Sequence, residues 1–226
     1  MTESIHFKSS TGESVDGALA LPAGEGPAPA IVLLHEWWGL NGHIRSLLDR
    51  FAAEGFIALA PDLYKGFVAA NDKEAHARMT ELKWATALDE VRGAVSFLTA
   101  HPRSNGKVGA TGFCMGGAGT LAAACKVRGL AAAAPFYGIP PAQYMDWEHD
   151  DAPPIQCHFS KRDDWAKPSI AEGYGATLAK RGKSFELFAY DADHAFMNDT
   201  RPEVYDAEAA ALAWRRVVAF FHKHLG

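Results

Sequence analysis

The chain has 226 residues, 48% hydrophobic and 22% charged, values of an ordinary globular protein rather than a disordered tail. Its 27 acidic against 22 basic residues give a formal charge of −5, and no Lys/Arg-rich run suggests a nucleic-acid or anionic-membrane partner. The uncharged stretches Val108–Cys125 and Gly129–Met145 are too rich in glycine or proline for a lipid-spanning helix, and Met1–Ser14 is too polar for a secretory signal. The expectation is therefore a soluble, cytoplasmic protein. The sparse, odd set Cys114, Cys125 and Cys157 reads as free thiols in a reducing compartment. If Cys114 and Cys125 share one helix, they stand about 16 Å apart along it, too far for a disulfide.

Taken in chain order, Ile5–Lys8 and Val15–Leu21 read as short strands joined at Thr11-Gly12. The Pro/Gly-rich connector Pro22–Pro29 leads into an apolar strand, Ala30–Leu34. Helical spacing of Leu47, Leu48 and Phe51 marks Ile44–Glu54, ended by Gly55, and Phe56–Ala60 is a buried strand stopped by Pro61. Lys73–Thr99 is helical, with room for a break. The alternation continues as strand Lys107–Thr111, helix Met115–Lys126 and strand Leu130–Phe136. A proline-rich loop follows, then strand Ile155–Phe159, helix Pro168–Arg181, strand Ser184–Tyr190 and helix Glu203–Lys223. Strands alternating with helices imply one α/β domain over residues 1–226, with a mostly parallel sheet covered on both faces. No repeat, low-complexity tract or long linker divides it.

Such sheets bind ligands beyond the carboxyl ends of their strands, so the post-strand loops are where chemistry is sought. Gly112-Phe113-Cys114-Met115-Gly116 has the nucleophile-elbow pattern, with Cys in place of Ser, between a predicted strand and a predicted helix. The turn forces its central residue into strained backbone, and the flanking glycines keep side chains out of the crowded neighbourhood. Cys114 would project at a helix N-terminus, whose dipole favours a thiolate. The bland alternative is a glycine-rich turn with an inert buried cysteine.

A thiol nucleophile needs a base, and the base an orienting acid, in the chain order nucleophile, acid, histidine. Among ten histidines, His194 alone combines order, position and loop context; His158 falls inside a strand, and His222 and His224 lie on the last helix. Asp163 follows the strand Ile155–Phe159 and is the candidate acid, with Asp164 its adjacent competitor and helix capping the ordinary alternative for either. The amides of Met115 and Trp37 are the expected oxyanion donors. Glu36 is a carboxylate beside that oxyanion position, or else an exposed loop acid; Trp37 and Trp38 serve as pocket walls or as core. His35-Glu36 lacks the second histidine of a zinc-protease helix motif, so no metal is expected.

These residues resemble the dienelactone hydrolases, a cysteine-nucleophile branch of the α/β-hydrolases. The resemblance rests on His35-Glu36-Trp37-Trp38-Gly39, Ala60-Pro61-Asp62-Leu63-Tyr64, Ser104-Asn105-Gly106-Lys107-Val108-Gly109, Gly112-Phe113-Cys114-Met115-Gly116-Gly117 and Asp193-His194-Ala195-Phe196, in order across nearly the whole chain. It implies Cys114 as nucleophile, Asp163 as acid, His194 as base, the Trp37 and Met115 amides as oxyanion hole, and Glu36 as the group that holds the resting thiol until substrate displaces it. It also implies a cofactor-free hydrolase of lactones or small esters, for which a general carboxylesterase, a thioesterase or a non-catalytic ligand-binding homologue are the rivals. One position departs. Four residues after the histidine, where dienelactone-cleaving enzymes carry a carboxylate-binding arginine, this chain has Asn198. Trp38, Asn198, Arg201 and Arg78 are the candidate substrate contacts. Nothing in the sequence separates a monomer from a homodimer.

Overall fold

The computed structural model describes residues 2–146 and 152–226; part of the proline-rich loop expected before Ile155 lies outside the described residues. The strands are β1 (Glu3–Lys8), β2 (Ser14–Ala20), β3 (Ala28–Leu34), β4 (Ile57–Pro61), β5 (Ser104–Phe113), β6 (Leu130–Phe136), β7 (Ile155–Ser160) and β8 (Phe185–Tyr190). The helices are α1 (Gly42–Ala53), α2 (Asp72–Glu81), α3 (Trp84–Ala100), α4 (Met115–Lys126), α5 (Pro168–Lys180) and α6 (Ala207–Leu225). The strands form one sheet in the order β1-β2-β4-β3-β5-β6-β7-β8, with β2 antiparallel to both β1 and β4 and every other neighbouring pair parallel. This is the α/β architecture expected from the alternation of elements.

Every residue of β3 and β4 is buried, because helices cover both faces of the sheet and leave no solvent-facing register. On one face Leu47, Leu48 and Phe51 of α1 and Trp214, Val217 and Phe221 of α6 meet Ile31 and Leu33. On the other, Leu88, Val91, Val95 and Leu98 of α3 pack with Val32, Leu34 and Val108. Leu121 and Cys125 of α4 join Leu178 of α5 against Ile155, Cys157 and Phe159 of β7.

The helical stretch Lys73–Thr99 is two helices, with Leu82 and Lys83 extended between them. The last helix starts four residues later than its composition suggests, because the Asp206 side chain accepts the Ala209 amide and so sets the cap there. Among the described residues no helix is long and apolar enough to cross a membrane.

Candidate active site

Cys114 stands between β5 and α4 with φ +55° and ψ −117°, a backbone that a residue bearing a Cβ adopts only under strain. The glycines around it are dictated by contact. A Cβ on Gly112 would lie 2.3 Å from the Gly116 carbonyl oxygen, one on Gly116 2.1 Å from that of Leu34, and one on Gly117 2.0 Å from that of Phe136. Gly138, after β6, presses equally close: a Cβ there would lie 2.2 Å from the Cys114 carbonyl oxygen. Backbone cannot yield as a flexible side chain can, so all four positions exclude alanine while the turn keeps this shape.

His194 and Asp163 come together from the loops after β8 and β7. His194 Nδ1 donates to Asp163 Oδ2 at 2.6 Å, and the other ring nitrogen is left for the Cys114 thiol. Asp163 Oδ1 accepts the amides of Trp165 at 2.7 Å and Ala166 at 3.1 Å. Burial works against the charged carboxylate, yet the bond and charge of His194 and these two amides hold its pKa below the ordinary value. Burial likewise works against an imidazolium at His194, but Asp163 and Cys114 outweigh it and raise the pKa to about 10. Asp164, the competitor for the acid position, points into solvent with its side chain 96% exposed, 3.9 Å from Lys167. Two neighbouring carboxyls thus diverge, one inward and one outward.

The pair has a signature in stability. A histidine pKa raised on folding stabilises fully below its ordinary value of 6.5 and ceases to do so as pH climbs through about 10. The lowered Asp163 contributes only above the normal carboxylate range. The gap in urea midpoint between the native chain and His194→Gln is therefore expected to be widest near pH 5–6 and to shrink steadily toward pH 10. A constant gap across that interval would refute the pairing.

Of the two expected oxyanion donors, Met115 opens α4, so its amide has no partner within the helix, and Trp37 lies in the loop after β3. Both residues line a cavity of about 380 Å³ that also contains Cys114 and His194. Its walls are largely apolar, with Trp38, Trp84, Trp165, Ile139 and Val204, and its charged lining side chains besides His194 are Glu36 and Arg201. Arg201 is paired with Glu203 at 2.8 Å and lies 5.5 Å from the Trp38 ring centre.

Two candidate substrate contacts move elsewhere. Arg78 is not in the cavity wall; it stacks on Phe67 and pairs with Glu81, because α2 turns that face outward. Asn198 is 1% exposed and sits behind Glu36 rather than in the cavity. Its Oδ1 accepts from Thr200, which orients the amide so that Nδ2 donates to Glu36 Oε2 at 2.6 Å. Glu36 is buried, not an exposed loop acid, and burial raises its pKa even though His43, Asn198, His194 and Arg201 all pull the other way. Its Oε1 has no hydrogen-bond partner. The carboxyl is therefore bonded to Asn198 rather than to the resting thiol, which instead pairs with His194.

The remaining cysteines are packing groups. Both are fully buried, burial pushing the Cys125 thiol up to about 12 and that of Cys157 higher still. His158 is a core residue whose ring nitrogens are taken by Tyr190 and Gln156. Tyr137 was not foreseen: fully buried at φ +35°, it sets its ring edge-on to His194 at 5.0 Å. The sequence signal for it is slight, no more than its place beside Gly138 at the end of a buried strand.

The dienelactone hydrolase family model matches residues 15–225. A curated relative, Protein usf of Aquifex pyrophilus, is 35% identical over 100% of both chains. The carboxymethylenebutenolidase of Pseudomonas putida is 29% identical, over 97% of this chain and 96% of its own. Among solved structures, a dienelactone hydrolase-like promiscuous phosphotriesterase from metagenomic libraries superposes with a TM-score of 0.87 at 22% identity, covering 100% of this chain and 99% of its own, a likeness of fold. A match that begins in β2, ends in α6 and takes in every loop of the site means that the chain belongs to the dienelactone hydrolase family, whose members are hydrolases of carboxylic esters.

Proposed function

We propose that the protein hydrolyses lactones or small carboxylic esters through a Cys114 acyl-enzyme. The observation that carries this reading is the bond of Asp163 to His194 Nδ1, which leaves the opposite ring nitrogen for a thiol on a strained turn in the cavity that both His194 and Cys114 line. Cys114 Sγ, its proton on His194, attacks the carbonyl carbon, and the Trp37 and Met115 amides receive the oxyanion. As the tetrahedral adduct collapses, His194 returns the proton to the leaving alkoxide; in a lactone that alkoxide stays tethered to the acyl chain. Water, deprotonated by the now neutral imidazole, then attacks the thioester and restores the thiol. Asp163 keeps the ring in one orientation throughout. Glu36, in the cavity beside Cys114, acts on the thiol through its charge.

The substrate side of the cavity favours uncharged esters. Its walls are mostly aromatic and aliphatic, and its one guanidinium is already paired with Glu203, so a carboxylate on the substrate would compete for a partner and face Glu36. Mass spectrometry after rapid quenching with an aryl ester is expected to find the acyl group on the peptide containing Cys114. Steady-state rates are expected to favour a neutral enol-lactone over its carboxylated counterpart by about tenfold or more, a difference of about 1.4 kcal/mol in transition-state binding. Acylation elsewhere, or none with turnover intact, would overturn the mechanism; a preference for the acid would overturn the substrate class alone.

A further inference from the structure

The peptide group that joins Glu36 to Trp37 is bonded at one end only. Its carbonyl oxygen, on Glu36, accepts from His35 Nδ1 at 2.6 Å and from the Gly39 amide at 3.2 Å. Its N–H, on Trp37, donates to no acceptor among the described residues. The peptide is trans, and a planar trans group sets its C=O and N–H in opposite directions, so whatever fixes the carbonyl also aims the amide. Trp37 lines the cavity that holds Cys114, whereas His35 does not.

The imidazole that grips this carbonyl is itself held in one state. A carbonyl cannot donate, so the proton of the bond sits on His35 Nδ1. Burial lowers the ring's pKa against the pull of that bond and of the Asp62 charge, which favours the neutral form. The ring is fully enclosed, and Tyr64, from the loop after β4, stands edge-on to it at 4.9 Å. Asp62 accepts the Tyr64 amide at 3.1 Å and that of Gly66 at 2.7 Å, and the Tyr64 hydroxyl donates to Met115 Sδ at 3.1 Å. One tyrosine therefore touches both the histidine behind Trp37 and the side chain of Met115. Loop and elbow also meet backbone to backbone, since a Cβ on Gly116 would lie 2.7 Å from the His35 carbonyl oxygen. We propose that His35 is a positioning residue of the oxyanion hole: its Nδ1–H holds the Glu36 carbonyl so that the Trp37 N–H, across the same peptide, points at the developing oxyanion. The bond also polarises the peptide and makes the opposite N–H a stronger donor. This rests on the reading of Cys114 as the nucleophile that attacks a carbonyl carbon.

The test separates a reaction that builds an oxyanion from one that does not. Side-chain nitrogen NMR of the native chain is expected to find His35 neutral with its proton on Nδ1; the opposite tautomer would overturn the proposal without any variant. His35→Leu fills much the same space and cannot donate, while His35→Asn sets an amide nitrogen near the place of Nδ1. Single-turnover acylation by p-nitrophenyl acetate is expected to slow about 10- to 100-fold in His35→Leu. That is less than the loss of about 10²–10³-fold for a deleted oxyanion donor, because the Gly39 bond remains. His35→Asn is expected to bring acylation back to within about threefold of native. Alkylation of Cys114 by iodoacetamide forms a C–S bond as iodide leaves a saturated carbon, so no oxyanion arises and both variants are expected within about twofold of native. Equal slowing of acylation and alkylation would mean that the change only disorders the site. Unchanged acylation in His35→Leu, or no recovery in His35→Asn, would mean that the bond does not aim the amide. Each of these overturns the proposal. Native acylation of Cys114→Ala would also remove it, but through failure of the nucleophile reading, a result that involves no change at His35.

Discussion

Cys114→Ala is expected to lower kcat for any ester the protein turns over by at least ~10⁴-fold while leaving the binding of that ester within a few-fold. The asymmetry follows from the site's construction. The side chain removed ends in one sulfur in the cavity lining, while the aromatic walls proposed to hold the substrate belong to other elements. The alanine Cβ stands where the cysteine Cβ already stood, so the turn between β5 and α4 keeps its shape and the unfolding midpoint is expected to stay close to native. Steady-state kinetics beside a fluorescence titration separates the two quantities. A variant retaining a tenth of native kcat would exclude Cys114 as the nucleophile. Retained kcat in Cys125→Ala and Cys157→Ala completes the comparison, since both of those thiols lie in the core.

Asp163→Asn is expected to cost ~10³–10⁴-fold in kcat with the fold preserved. The asparagine Oδ1 can still accept the Trp165 and Ala166 amides, so the loop after β7 keeps its anchor. The other branch becomes an amide that donates, which repels Nδ1–H and turns the ring to the tautomer with its proton on the side of Cys114. The base is then occupied before the reaction begins. Asp164→Asn is the control, expected within twofold of native because that carboxyl reaches only solvent and Lys167. Equal effects at the two positions would mean that the Asp163–His194 bond does not matter to turnover.

The α/β alternation was legible because β3 and β6 are uninterrupted small and apolar runs, and because the glycines at 112, 116 and 117 carry a spacing that only a crowded turn requires. The candidate residues Cys114, Asp163 and His194 were legible for a related reason: each follows a strand, and post-strand loops converge at one end of a parallel sheet. Direction was not legible. The family resemblance made Asn198 a candidate substrate contact and Arg78 a possible stand-in for the arginine it replaces, but one turns behind Glu36 and the other turns outward, and neither orientation is written in the intervals between residues. Gly138 and Tyr137 escaped for the same cause, since what they touch is distant in sequence and close only once β6 lies beside β5.

The double grip on Asp163 has a consequence for how such a site can diversify. One carboxyl oxygen serves the histidine, while the other is held by main-chain amides at 165 and 166, which every residue type except proline can offer. The side chain at 165, a tryptophan 73% exposed at the cavity mouth, takes no part in that grip. The rim can therefore be rewritten by substitution at a position bonded directly to the acid without disturbing what holds the acid in place. Selectivity and proton handling are adjacent in space yet free to change independently.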